Sequence, residues 1–240
     1  PDARVRTVAQ QPVGTGQMGD CLRLSLTYDR EVTAPATIVA KLPSSNETSQ
    51  ATGMAMRTYE VEVRFYQELA ANLPVRSPHC HHAEIDVDTG DFVLLLEDLA
   101  PAEQGDQVAG CSVAQARLVL AEAARLHAPR WGDPTLDGLD WAVRWSPESQ
   151  DLMQAMITML WPNFVERYGE ELEAEVVALG GRFVARLPAY YAHRPEPHTV
   201  THNDFRLDNL LFGTTEGGPP VAVVDWQTVG VGPGVGDVSY

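Results

Sequence analysis

The sequence contains a single lysine, Lys41, although lysine and arginine together number 17 among its 240 residues. Arginine therefore carries almost all of the positive charge, and the formal net charge is −16. This acidic balance disfavours a broad polyanion-binding surface, so neither nucleic acid nor an anionic membrane is expected as a partner. Cysteine is also scarce. Cys21, Cys80 and Cys111 are odd in number and lack paired metal spacing, which favours a reduced, cytoplasmic setting over a disulfide framework.

Long hydrophobic runs are missing as well, and no segment approaches the ~20 apolar residues that a membrane-spanning helix requires. With 44% hydrophobic and 21% charged residues, the composition is that of a globular protein. The length fits one large domain or two small lobes. Pro1 cannot start translation and GVGDVSY reads as an interruption, so we expect both ends to be incomplete.

Hydrophobic patterns change from strand-like to helical near residue 100. Strands are predicted in DCLRLSLTYD, TIVAKL and DFVLLLEDL, with one helix between them in RTYEVEVRFYQELAANL. Further on, Ser112 and Gln115 have the spacing of a capping box. Ser146 and Pro147 open a second helix, whose apolar content predicts a buried helix that bends or ends near Pro162.

A third helix in the second half is predicted in LEAEVVALGGRFVARL, followed by a hairpin formed by NLLFG and VAVVDW. These patterns predict an α+β protein with two lobes. The first is a small β-rich lobe with one helix, residues 1–97. A hinge at 98–101 leads to a larger, mainly helical lobe, residues 102–240, and a cleft is expected between the lobes.

Glu62 is a carboxylate on the apolar face of the predicted N-terminal helix. At about 100° per residue, the apolar side chains occupy an arc of roughly 160°, and Glu62 falls inside it. The arc comprises Tyr59, Val61, Phe65, Tyr66, Leu69 and Leu73. A buried carboxylate needs a cationic partner, and Lys41, at the end of an apolar strand, is the candidate. A half-exposed Glu62 at the rim of the arc, or a buried pair without chemistry, is the alternative.

Three glycines precede the lysine strand in VGTGQMGD. Gly14, Gly16 and Gly19 have G-x-G-x-x-G spacing, which lets backbone N–H groups approach phosphate oxygens closely. Ordinary hairpins are also rich in glycine, so the context decides. A dinucleotide-binding fold would place a helix next, whereas here a strand follows and the lysine strand comes after it. This order is typical of a glycine-rich flap over nucleotide phosphates.

The stretch VTHNDFRLDNLLF gives the most specific pattern. His202, Asp204 and Asn209 have the H-x-D-x-x-x-x-N spacing of a phosphotransferase catalytic loop, and Asp225 after an apolar strand has the position of its companion metal ligand. Asp208 is better interpreted as an ordinary turn former. The histidine-rich HCHHAE segment is not expected to bind metal, because adjacent strand residues face opposite ways.

These motifs together resemble the aminoglycoside phosphotransferase and choline-kinase-like superfamily, which has a protein-kinase-like fold. GTGQMGD, VAKLP, YEVEVRFYQEL, FVLLLEDL, LHAPRW, THNDFRLDNLLF and VVDWQTVG occur in the order of that family. EVRFYQEL and LLLEDL look most like its ecdysteroid-kinase-like branch. Asn203 departs from the family pattern, in which this loop position is commonly glycine in small-molecule kinases. Members usually extend beyond the GDVSY region, so the resemblance implies an incomplete C-terminal lobe.

The resemblance implies a role for each matching residue in binding ATP. Lys41 would hold the α- and β-phosphates, Glu62 would orient Lys41, and the segment Gly14–Gly19 would cover the phosphates. The adenine edge would meet the backbone where the first lobe joins the hinge, at Glu97, Asp98 and Leu99.

Catalysis would fall to the later motifs. Asp204 would accept the proton of the attacking hydroxyl, and Asn209 with Asp225 would hold Mg²⁺. His202 would brace the loop by hydrogen bonding, and Asp237 would buttress it from behind.

The predicted function is a kinase that transfers the γ-phosphate of Mg-ATP to a hydroxyl of a small molecule. A silent, pseudokinase-like nucleotide-binding protein is the alternative, and a metal-dependent phosphohydrolase is a third. Aminoglycosides, amino alcohols and sterol-like alcohols stay open as acceptors, as does GTP as donor. The acidic balance favours a cationic acceptor.

Overall fold

The computed structural model describes residues 3–14, 18–193 and 195–239. Its N-terminal part is an antiparallel sheet of five strands in the order β1-β2-β3-β5-β4. The strands are β1 (Val5–Pro12), β2 (Gly19–Tyr28), β3 (Thr37–Pro43), β4 (Cys80–Ile85) and β5 (Phe92–Glu97). The three predicted strands correspond to β2, β3 and β5. Strands β1 and β4 were not predicted. For β1 the reason is that every residue is exposed, so the strand has no alternating apolar face.

Strand β3 is the middle strand of this sheet and carries Lys41. Lys41 lies opposite Cys21 on β2 and Leu94 on β5. Because side chains alternate along a strand, Lys41 and the buried Ala40 point to opposite faces. The sheet therefore fixes the direction of the lysine from both sides.

The N-terminal part contains two helices, so the prediction of one helix is wrong. The additional helix, α1 (Glu47–Ala55), is capped by Asn46 and buries only Gly53. Because it packs so little against the core, its sequence needs no apolar stripe, and none was available to predict it. The predicted helix is α2 (Thr58–Arg64), which continues as a π-helical turn at Phe65–Leu69 and a 3₁₀ turn at Ala70–Asn72.

The C-terminal part is mainly helical. Its helices are α3 (Val113–His127), α4 (Pro147–Tyr168), α5 (Ala174–Ala192) and α6 (Val235–Val238). The predicted capping box of Ser112 and Gln115 begins α3. The predicted hairpin is formed by β8 (Leu210–Thr214) and β9 (Gly217–Val223), with β6 (Glu103–Gln104) beside β8, and β7 (Thr199–Thr201) pairs with β10 (Gly230–Gly232). No helix within the described ranges is long and apolar enough to cross a bilayer.

Helix α4 differs from its prediction in burial, and it does not end near Pro162. None of its described residues is buried, and Leu152 and Met159 are 73% and 67% exposed. The helix continues through Pro162 to Tyr168. Apolar content therefore identified the helix correctly, but did not show that α4 packs mainly on α5 and leaves apolar side chains uncovered.

A continuous core joins the helix α2 segment to the C-terminal part. The rings of Phe65 and Trp226 stack with centroids 4.0 Å apart, and both side chains are fully buried. Nearby, the Trp141 indole donates a hydrogen bond of 2.9 Å to Glu68 Oε2. These contacts fix the helical segment that carries Glu62 against the C-terminal part, next to the position of Asp225.

We expect Trp226→Ala to lower the free energy of unfolding by about 3 to 5 kcal/mol, because it removes a fully buried ring and leaves a cavity between Phe65 and the C-terminal core. Urea unfolding would measure the loss. Trp131→Ala is the control, since Trp131 is 53% exposed and its removal should cost about 0.5 to 1 kcal/mol. Equal losses in the two variants would contradict the interpretation of Trp226 as a core contact.

Candidate active site

Lys41 lies between two carboxylates. Its Nζ atom is 2.7 Å from Glu62 Oε2 and 2.7 Å from Asp225 Oδ1. The predicted ion pair with Glu62 is therefore present, and Glu62 is buried on the apolar face of α2 as the helical wheel indicated. Asp225 reaches the same ammonium from the far end of the chain.

The charges around Lys41 determine its protonation. Burial by itself would lower the pKa of Lys41, but the negative charges of Glu62 and Asp225 outweigh this effect and raise the pKa above its ordinary value. The side chain is consequently an ammonium throughout the physiological pH range. Removing either carboxylate would leave a buried charge less well compensated.

The glycine segment is described at its two ends. Gly14 has a φ of +77°, a left-handed conformation that glycine adopts without strain. At the start of β2, a Cβ atom on Gly19 would lie 3.0 Å from the Leu42 carbonyl oxygen and 3.6 Å from Lys41 Cε. Glycine at position 19 therefore lets the backbone pass close to the lysine. Gly16 lies outside the described residues.

His202 is fully buried at the start of the predicted catalytic segment. Its Nε2 is 3.0 Å from the Val224 carbonyl oxygen, and its Nδ1 accepts a 3.3 Å hydrogen bond from the Asp204 backbone N–H. This arrangement requires a neutral imidazole with its proton on Nε2. Burial lowers the pKa of His202, which agrees with the neutral form. His202 thus connects the backbone at Asp204 to the strand that leads to Asp225.

Asn203, the departure from the family pattern, adopts a φ of +64°. Asparagine tolerates this left-handed region better than most residues, and glycine tolerates it best, which explains the usual glycine here. The Asn203 side chain is held by two hydrogen bonds, a 2.8 Å bond from Nδ2 to the Thr228 carbonyl and a 3.0 Å bond from Thr201 Oγ1 to Oδ1. The loop conformation is therefore compatible with asparagine.

Asp204, Asn209 and Asp225 are linked by hydrogen bonds and backbone contacts. Asn209 Nδ2 donates to Asp204 Oδ2 at 2.7 Å and to the Asp204 carbonyl at 2.8 Å. The Asn209 carbonyl accepts a 3.0 Å bond from the N–H of Val224, which precedes Asp225. Asp225 has a φ of +65°, and its Oδ2 accepts a bond from Gln227. The structure therefore joins the side chains of Asp204 and Asn209 directly, and a backbone hydrogen bond holds the segment of Asp225 beside Asn209.

The oxygen atoms of Asn209 and Asp225 fit the preferences of Mg²⁺. This ion is usually bound by one or two protein oxygens, with phosphate and water as the remaining ligands. Because the Asn209 amide nitrogen donates to Asp204, the amide oxygen is the atom available to a metal.

Across the described part of the chain, no three His, Cys, Asp or Glu side chains converge on a metal site. This finding includes the HCHHAE segment.

Asp237 buttresses the catalytic segment, as predicted. One carboxylate oxygen accepts from the Asn203 N–H at 2.8 Å, and the other accepts from the His202 N–H at 2.8 Å and contacts His127 Nε2 at 2.8 Å. Only 3% of Asp237 is exposed. A buried carboxylate with three such partners fixes the backbone just before Asp204.

The predicted hinge residues are held by two arginines. Arg76 forms a two-pronged ion pair with Glu97, at 2.7 and 2.9 Å, and Arg23 forms one with Asp98, at 2.7 and 3.0 Å. Burial disfavours the charged form of Asp98, but hydrogen bonds from Arg23 and from neighbouring groups outweigh it and lower the pKa. Because both side chains are engaged and Leu99 is buried, a base bound here would meet backbone atoms.

Arg206 is a residue of the site that the sequence analysis missed. Its Nε is 3.2 Å from Asp204 Oδ1, and its Nη1 donates to Asp208 at 2.5 Å. Asp208 also accepts a 3.1 Å bond from the Gln107 N–H, so it has a second structural partner. An arginine two residues after the proposed base was a usable signal, since a cation so close to a reacting carboxylate influences phosphate binding and charge.

Comparison with known proteins now identifies the family. Residues 24–240 match the model of the family described as the phosphotransferase enzyme family. The chain belongs to this family. A comparison with curated proteins found no matching relative.

Solved structures with a similar fold include aminoglycoside phosphotransferases. The GDP complex of wild-type aminoglycoside 2'-phosphotransferase-IIIa is 17% identical with a TM-score of 0.56, and the match covers 100% of this chain and 73% of that one. The GDP and kanamycin complex of APH(2'')-IIIa is 16% identical with a TM-score of 0.56, over 100% and 73% of the two chains. The streptomycin–ATP–APH(2'')-IIa ternary complex is 15% identical with a TM-score of 0.53, over 97% and 69%.

These matches confirm the predicted superfamily and the bilobal α+β protein-kinase-like fold. The assignment to the ecdysteroid-kinase-like branch stays a prediction, as do the boundaries at 97 and 102.

The buried His202 predicts a pH dependence of stability. In the unfolded chain this imidazole binds a proton near its ordinary pKa of 6.5, whereas in the folded protein it does so only at lower pH. The neutral His202 therefore makes its full contribution to the free energy of unfolding above about pH 6.5. This contribution is lost as the pH falls, at a rate of at most about 1.4 kcal/mol per pH unit. Urea unfolding between pH 7.5 and 5.5 should show a smaller slope for His202→Gln than for the unaltered protein. The exposed His193→Gln is the control, and an unchanged slope in His202→Gln would disprove the assignment.

Proposed function

We propose that this protein transfers the γ-phosphate of Mg-ATP to a hydroxyl group of a small molecule. The observation that carries the proposal is the position of Lys41 Nζ, 2.7 Å from both Glu62 and Asp225. This contact joins the lysine strand and helix α2 to the segment that carries the catalytic motif. Membership of a phosphotransferase family supports the same chemistry.

On the donor side, Lys41 would bind the α- and β-phosphates, with Glu62 fixing its direction. Gly14, Gly16 and Gly19 would cover the phosphates with backbone N–H groups. The base would lie against the backbone of Glu97, Asp98 and Leu99, where lobe 1–97 meets the hinge at 98–101 that leads to lobe 102–240. Of the three related structures described above, two contain GDP and one contains ATP, so GTP is an alternative donor to test.

Asn209 and Asp225 would hold Mg²⁺ through their side-chain oxygens. When bound, the ion neutralises charge on the phosphate oxygens and on the leaving group. Asp225 would then share its carboxylate between the metal and Lys41.

Asp204 would accept the proton of the acceptor hydroxyl. The acceptor oxygen forms a bond to the γ-phosphorus, the bond from that phosphorus to the bridging oxygen of ADP breaks, and the proton moves to the Asp204 carboxylate. Asn209 Nδ2 holds one oxygen of this carboxylate and Arg206 contacts the other. Asp204 is thereby oriented before any substrate binds.

The acceptor we favour is a cationic small-molecule alcohol. The net charge of −16 attracts amines to the protein, and the relatives of known structure include complexes with kanamycin and streptomycin. The free thiols Cys21, Cys80 and Cys111 support a cytoplasmic location.

The first test uses γ-labelled Mg-ATP and a pooled extract of small alcohols, with Asp204→Asn beside the unaltered protein. We expect label on a small molecule, and a loss of about 10² to 10⁴ in kcat for Asp204→Asn, because asparagine cannot accept the proton. Asp208→Asn is a matched control four residues away, where a similar loss is not expected. Nucleotide binding without transfer would support the silent alternative, and release of label only as free phosphate would support a phosphohydrolase.

The second test is Lys41→Arg. The planar guanidinium is wider than an ammonium and would not fit between Glu62 and Asp225 in the same geometry, so activity should fall by at least about tenfold while the fold is kept. Steady-state kinetics and circular dichroism would measure the two effects. Retention of full activity would rule out a specific role for the lysine.

A further inference from the structure

The hydroxyl group of Tyr59 lies where three segments of the candidate site meet. It donates a 2.5 Å hydrogen bond to the Met18 carbonyl and accepts a 3.3 Å bond from the Ser44 N–H. Met18 immediately precedes Gly19, Ser44 directly follows the lysine strand β3, and Tyr59 lies in α2 one turn before Glu62. One oxygen atom therefore contacts the glycine segment, the end of the lysine strand and the helix of the glutamate.

The position of this hydroxyl is fixed by close packing. Tyr59 is 4% exposed, and its ring centroid is 4.7 Å from that of Phe92. On the other side, a Cβ atom on Gly53 of α1 would lie 2.7 Å from Tyr59 Cζ and 3.0 Å from the hydroxyl oxygen. Glycine in this helix therefore makes room for the phenol.

Core packing alone does not account for a tyrosine here. Phenylalanine would fill the same apolar space without burying a polar atom, and a buried hydroxyl is unfavourable unless it is hydrogen-bonded. The hydroxyl also affects the backbone before Gly19. A carbonyl oxygen turned toward bound phosphates would repel them, whereas the Met18 carbonyl is directed toward the buried phenol.

We infer that Tyr59 is a positioning residue that fixes the Met18–Gly19 end of the glycine-rich segment relative to Lys41 and Glu62, so that the nucleotide phosphates meet both in the correct arrangement. This inference rests on the proposed nucleotide-binding function. The hydroxyl does not touch the nucleotide in this arrangement. It acts through the Met18 carbonyl and the Ser44 N–H, whose positions determine how closely the segment and the strand end approach each other.

The test is Tyr59→Phe in the full chain, with nucleotide affinity measured by calorimetry. The probe is whichever of Mg-ATP and Mg-GTP binds the unaltered protein. We expect the Kd to rise about fivefold to tenfold, which is the effect of one lost hydrogen bond. With an acceptor in hand, the KM for nucleotide should rise by the same factor while kcat changes by less than about twofold. Hydrogen exchange at the Ser44 N–H should become faster.

Tyr28→Phe is the matched control. Tyr28 lies at the end of β2 that is opposite to Gly19, in the sheet that carries Lys41. Its hydroxyl donates a 2.7 Å hydrogen bond to the backbone carbonyl of Pro35. Its removal should leave the Kd unchanged. A second variant, Gly53→Ala, keeps the hydroxyl but pushes on the ring, and it should reproduce the higher Kd even if Tyr59→Phe folds poorly.

Equal nucleotide affinity in Tyr59→Phe and Tyr28→Phe would overturn this inference and leave the proposed function intact. An unchanged Kd in a folded Gly53→Ala protein would overturn it as well. If the unaltered protein binds neither nucleotide, the proposed function fails and this inference fails with it.

Discussion

The contact of one ammonium group with two carboxylates organises the whole molecule. Lys41 comes from the middle of the N-terminal sheet, Glu62 from helix α2 and Asp225 from the end of the strand β9 segment. A charge triad of this kind is unfavourable unless every member is correctly placed, because each buried charge depends on the others. The Phe65–Trp226 stack and the hydrogen bond of Trp141 to Glu68 provide that placement by fixing α2 against the C-terminal part. Apolar packing thus determines the electrostatics of the site.

The catalytic segment is held in a similar way, by buried polar groups that compensate local strain. Asn203 and Asp225 both have left-handed backbone conformations, which cost about 1 to 2 kcal/mol for residues other than glycine. Asp237 binds the N–H of Asn203, and His202 binds the carbonyl just before Asp225. The two strained residues are therefore stabilised by a histidine and an aspartate that do not take part in the proposed chemistry. The side chains of the site are oriented before a substrate arrives.

Features with a local pattern could be predicted from the sequence, and features made by distant residues could not. Glu62 could be predicted because it is a single carboxylate inside an apolar arc. The catalytic loop could be predicted because the spacing of His202, Asp204 and Asn209 lies within one short segment. By contrast, Arg23 and Asp98 are 75 positions apart, and His127 and Asp237 are 110 apart. The first pair joins a strand to the hinge, and only the fold brings its members together. Helix α1 was not predicted because it lacks an apolar stripe. The predicted burial of α4 was wrong because burial depends on what covers a helix and not on its composition.

The presence of a single lysine, at position 41, affects how the chain can be chemically modified. Within residues 1–240 the only side-chain amine is the Nζ of Lys41, and this side chain is 13% exposed. Acetylation, carbamylation or attachment of a ubiquitin-like protein to a lysine would have to occur at this atom and would remove the charge that Glu62 and Asp225 share. The arginine-covered surface is inert to these reactions. Within these 240 residues, amine-directed modification of a side chain would therefore always disrupt the central ion pair.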